Sequence, residues 1–148
     1  MRNYLSVVAI LISAVPALAS GGASCANDGG DVAIDFSAGI THGMGGPVFS
    51  LTATVDAKAE AADDLKKGSF AKENLAQYWL DDKEMKFLLY REREGAGEFG
   101  SVELLIVTKP VGDDIGYDGT YKLTLSDMTG GGEGKSTTLE GKVTCSVE

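Results

Sequence analysis

The sequence predicts an all-β chain: an antiparallel β-sandwich of about seven strands, or a partly closed barrel, with at most one short helix near 57–67. Three observations predict it. Apolar residues recur at every second position in most segments that carry a pattern. Gly, Pro and Asp gather between those segments, where turns need positive φ, a fixed φ or an Asx bond. Finally, Cys25 and Cys145 lie near the two ends of the chain, where a bridge would join those ends.

The chain opens MRNYLSVVAILISAVPALAS. Arg2 gives a short positive region, Leu5 to Val15 is apolar, and Ala17-Leu18-Ala19 places small residues before a cleavage point after Ala19. This is the pattern of a secretory signal peptide over 1–19, followed by a single β domain over 20–148. The apolar run is shorter than the roughly 20 residues of a membrane span. No later segment is apolar enough to cross a bilayer. The expected protein is therefore exported, periplasmic or secreted, and its cysteines form a disulfide. Lipidation of Cys25 is disfavoured, since Gly22-Ala23-Ser24 carries no Leu at the −3 position.

The domain of 129 residues is long enough for a hydrophobic core. Losing Arg2 lowers lysines plus arginines from 13 to 12 against 22 acids, a net charge of about −10. An acidic surface of that size repels phosphate backbones, which excludes nucleic acid as a partner. It suits a cationic protein or an envelope component.

The strands follow in order. Val32, Ile34 and Phe36 alternate with Ala33, Asp35 and Ser37. Phe49, Leu51, Ala53 and Val55 alternate with Ser50, Thr52 and Thr54. Between these two runs GITHGMGGPVF must reverse the chain as a wide hairpin loop with His42 at the surface. The segment 57–80 is ambiguous. AKAEAADDLKK, 57–67, reads as a short helix ended by Gly68, an edge strand or a loop. Leu75 to Leu80 reads as a strand, because an acidic turn joins it hairpin fashion to the next run.

MKFLLYR (Met85–Arg91) and VELLIV (Val102–Val107) have apolar residues on both faces. Such strands are covered on two sides or meet another element. Tyr121, Leu123 and Leu125 form one apolar face, as do Leu139, Gly141, Val143, Cys145 and Val147. Cys145 therefore faces the core.

Sites with chemistry are sparse. His42 and Met44 are soft ligands that suit copper, but two ligands are too few for a copper or structural zinc site. Asp113, Asp114 and Asp118 offer oxygens to Ca²⁺. Their spacing is not that of an EF-hand, and a polar loop before a strand accounts for them equally. With one histidine and no unpaired cysteine, no nucleophile and base can be assembled, so no enzyme and no cofactor are expected. A carboxylate pair of the glycosidase kind would need a cleft.

Tyr78, Trp79, Tyr90, Arg91 and Arg93 concentrate the residue types that anchor interfaces. Core packing, or pairing of the arginines with nearby glutamates, is the competing account. Trp79 is itself a natural core residue. The leading expectation is a non-catalytic binding protein, inhibitor- or immunity-like, that recognises a basic protein. A calcium- or copper-linked accessory protein is the alternative.

Overall fold

The computed structural model describes residues 20–27, 29–41, 48–81, 83–95, 97–112, 115–129 and 134–148. The expected signal peptide over 1–19 and the ligand candidates His42, Met44, Asp113 and Asp114 lie outside these residues.

Nine antiparallel strands form one sheet: β1 (Ser20–Ala26), β2 (Val32–Thr41), β3 (Val48–Ala57), β4 (Lys67–Ala71), β5 (Leu75–Leu80), β6 (Met85–Glu92), β7 (Gly100–Pro110), β8 (Gly116–Asp127) and β9 (Lys135–Val147). Their spatial order is β4-β3-β2-β1-β9-β8-β7-β6-β5. The sheet curls into a nearly closed barrel, so the all-β antiparallel class holds in its barrel form. Every neighbour in space is a neighbour in sequence except β1 and β9. The chain thus winds once round the wall, and β9 returns to pair with β1. The break lies between β4 and β5, which a 3-10 turn at Lys72–Asn74 connects.

The seven expected strands are all present. The two additional ones are β1 and β4, whose sequences SGGASCA and KGSFA carry little apolar alternation. The barrel is filled by inward side chains, among them Phe36, Phe87, Leu89, Leu104, Ile106 and Leu123. Phe36 of β2 meets Phe87 of β6 across the interior, with ring centroids 4.6 Å apart.

One expectation about β3 is corrected. The register of β2 and β3 shifts between Gly39 and Ile40, which is a β-bulge. A one-residue slip swaps the faces beyond it. Val48 turns inward and Phe49, expected inside, is 54% exposed. Its ring lies over Gly39, where a Cβ would strike it.

The short helix is a single turn, α1 (Asp63–Lys66), ended by Lys67 rather than Gly68. Ala62 supplies no side-chain cap, and Leu65 is its one buried residue. Leu65 enters the core, and the turn contacts β3, β4, β7 and β8. It therefore closes one end of the barrel.

Cys25 and Cys145 are bonded, with Cα atoms 4.0 Å apart and both side chains on the buried face. They are directly opposite in the β1–β9 ladder. Close Cα spacing of this kind marks a pair that does not exchange backbone hydrogen bonds. Gly22 and Glu148 do exchange both, at 3.1 and 2.9 Å. The bridge fastens the strand pair that closes the barrel.

Candidate functional site

The five aromatic and cationic residues of the 78–93 region fall into two groups. Arg93 follows β6 and is 12% exposed in its side chain. Its Nε lies 2.6 Å from Asp64 Oδ2 in α1, and its Nη1 lies 3.2 Å from Asp127 Oδ1 at the end of β8. The same Nη1 donates to the Glu98 carbonyl at 2.9 Å. Arg93 thus fastens α1 to the barrel rim. Arg91 donates from Nη2 to the Asp64 carbonyl at 2.6 Å, and its guanidinium carbon is 5.7 Å from the centre of the Phe70 ring. A Cβ on Gly68 would run into that guanidinium. Glycine in β4 therefore lets Arg91 fill the space beside the break in the wall. Both arginines engage the protein's own groups.

Arg93 holds Asp64 and Asp127 below the ordinary aspartate range, chiefly by its hydrogen bonds to their carboxylates. The Thr129 N–H adds to the effect at Asp127. A carboxylate with a depressed folded pKa stabilises the fold above its unfolded value, and that contribution fades as pH falls through the folded value. Loosening of α1 is therefore expected below about pH 4, the ordinary aspartate range. Arg93→Met should weaken that acid dependence, leaving the part that Thr129 gives Asp127, and lower Tm at neutral pH by roughly 3–6 °C. Thermal melts of both proteins from neutral pH down to about pH 3 measure this.

The aromatics lie elsewhere. A register shift between Leu75 and Gln77 in β5 sends Tyr78 and Leu80 toward the core. Trp79 consequently points outward and is 47% exposed, which corrects its expected core role. The Lys86 ammonium lies 5.7 Å from its ring centre and 2.7 Å from Glu84 Oε2. Tyr90 faces the same side, half-buried, and donates its hydroxyl proton to Glu92 Oε1 at 3.0 Å.

The register identifies their neighbours. Trp79, Lys86, Val107 and Thr120 form one row across β5–β8, and Gln77, Leu88, Leu105 and Lys122 form the next. Phe87, Leu89, Leu104 and Ile106 are fully buried, so the alternate residues Leu88, Leu105 and Val107 face outward. They are half-buried. The opposite wall differs. The outward residues of β2–β4 include Asp35, Ser37, Ser50, Thr52, Thr54 and Ser69, all exposed. The apolar outer wall was missed as a site, although the two-faced strands MKFLLYR and VELLIV were its signal.

Among the described residues, no three His, Cys, Asp or Glu side chains are placed to hold a metal ion. Asp118 is exposed on β8, opposite Lys109 and Thr144. Among the same residues no helix is long and apolar enough to cross a membrane. No family model matches the sequence, and no curated protein or solved structure matches it.

Proposed function

We propose that this is an exported, non-catalytic binding protein of the cell envelope whose outer β5–β7 wall receives a partner protein. One observation carries the reading. Trp79, Leu88, Leu105, Val107 and Tyr90 share an outward face. The wall formed by β2–β4 carries mostly hydroxyls and carboxylates in the equivalent positions, with Phe49 near the start of β3 as its large apolar exception. Contiguous apolar surface with an aromatic anchor is the usual mark of a protein interface. The disulfide is consistent with an oxidising compartment.

The overall negative charge favours a cationic partner and speeds encounter with it. An inhibitor of a basic hydrolase is a concrete version of this reading.

Crosslinking capture with residues 20–148 at low salt tests it, alongside Trp79→Ser and Leu88→Lys variants. The expected result is one stoichiometric partner that elutes as salt rises and binds each variant at least about tenfold more weakly. A partner indifferent to both substitutions would remove the β5–β7 wall from the account. A partner indifferent to salt would remove the charge argument.

A further inference from the structure

A second feature lies on the other side of β9, away from the Trp79 wall. β9 pairs with β8 along Lys135–Ser146, without a register shift. It pairs with β1 only over Thr144–Val147. Among the described residues, no strand pairs with the remainder of its β1-facing edge.

The backbone alternation along that edge is fixed by two observations. Glu148 exchanges hydrogen bonds with Gly22 on the β1 side, while the Val147 N–H donates to Ile115 on the β8 side. Even-numbered residues of β9 therefore turn both N–H and C=O toward β1, and odd-numbered ones toward β8. It follows that Ser136, Thr138, Glu140 and Lys142 present their main-chain groups to the vacant edge.

Facing this edge are Asn27, Gly29, Gly30 and Asp31 of the β1–β2 connection. The Asn27 side chain ties this stretch to the start of β2. Asn27 Nδ2 donates to the carbonyls of Gly29 and Val32, and Asn27 Oδ1 accepts the Ile34 N–H. Between this connection and β9 lies a notch of about 450 Å³, with Asp31, Glu140, Lys142 and Thr144 around it. That volume falls within the range of small-ligand sites. At the far end of the edge, Lys135 Nζ bridges to Glu60 Oε2 at 2.9 Å, which limits the length of any occupant.

Tyr121 lies at the floor of the notch. It is 5% exposed, and its hydroxyl has no hydrogen-bond partner among the described residues. It is directly opposite Gly141 in the β8–β9 ladder. A Cβ on Gly141 would come within 2.7 Å of both the ring edge and the hydroxyl oxygen. Glycine therefore lets the ring lie against β9 and brings the hydroxyl to the opening. The hydroxyl oxygen is not itself a fully buried atom: it opens onto the notch without a partner among the described residues. A ligand in the notch would supply one.

We propose that the notch binds a short extended peptide, which adds as a strand to the β9 edge and hydrogen-bonds to the Tyr121 hydroxyl. Residues two apart that each offer N–H and C=O on the same side are matched by the same alternation in another main chain. Recognition is then mainly of backbone, with one inward side-chain position above Gly141. This site and the Trp79 wall stand or fall separately.

The test uses ¹⁵N-labelled residues 20–148 and the blocked pentapeptide acetyl-Thr-Val-Thr-Val-Thr-amide. The control is the same peptide N-methylated at alternate residues. With the unmodified peptide at up to about 10 mM, the Glu140 and Lys142 amides should shift and exchange more slowly with solvent. Gly141 and Val143, whose amides already face β8, should keep their exchange rates. Tyr121→Phe should weaken binding about fivefold, whereas Trp79→Ser should leave it unchanged. Three results would each overturn the proposal: no shift at Glu140 and Lys142, equal binding of the N-methylated peptide, or equal affinity of the Tyr121→Phe protein.

Discussion

Replacing both cysteines by serine, Cys25→Ser with Cys145→Ser, is expected to cost about 4 kcal/mol of stability and to lower Tm by roughly 10–15 °C. The bridge spans 120 residues, so it constrains nearly all of the described chain when unfolded. In the folded protein it also lies inside the wall, on the buried face of the closing ladder. Serine leaves two hydroxyls there in place of one cystine, which adds a desolvation cost. Urea melts of the oxidised, reduced and double-serine proteins measure the effect. The reduced and double-serine proteins should agree to within about 1 kcal/mol. A loss smaller than that for both would mean that the β1–β9 hydrogen bonds close the barrel unaided.

Gly119→Ala should be the most damaging single-methyl substitution on the sheet. Gly119 of β8 stands opposite Thr108 of β7. A Cβ there would run into the Val107 carbonyl, and the Thr108 Cα would be 2.6 Å away. Both obstacles are backbone, so no rotamer change relieves them. The strands must separate or shift register, at a cost of about 2–4 kcal/mol. Gly116→Ala, three residues earlier on the same strand, is the matched control. Nothing lies within 4 Å of its Cβ position, so it should stay within about 0.5 kcal/mol of the parent. Chemical denaturation of the pair isolates the close approach from the general effect of losing a glycine. Equal stabilities would show that β7 and β8 adjust freely at this point.

The strands that were legible in the sequence are those with large alternating side chains. β6, β7 and β8 bury Phe87, Leu89, Leu104, Ile106 and Leu123, and the pattern of these residues marks the strands directly. Among the described side chains β1 buries only Ala23 and Cys25, and β4 only Phe70, so neither has a period to read. They belong to the sheet because their neighbours offer edges, which is information from distant parts of the chain. The bulges at Gly39/Ile40 and Leu75/Gln77 were illegible for a related reason. Each inserts one residue into a strand, and that insertion turned Phe49 and Trp79 outward.

The sites divide in the same way. The cystine was readable from the even count and the export expected from the first 19 residues. Arg93 was not readable as a clasp, because Asp64 and Asp127 lie 29 and 34 residues away in sequence. Tyr121 and Gly141 are unremarkable until the register places one over the other.

The order of strands round the wall has a further consequence. Gly22 and Glu148 already meet as a hydrogen-bonded pair, and the wall is open between β4 and β5. A circular permutant with a short linker from Glu148 to Ser20 and new ends at the 72–74 turn would keep every strand pair. Each pair would then be a hairpin between consecutive strands. Its contact order would fall, because the longest-range ladder of the present chain would become a local one. Such a permutant should refold faster than the parent at similar stability. The opening in the wall, which looks like an imperfection of the barrel, is the point at which the chain tolerates a new beginning.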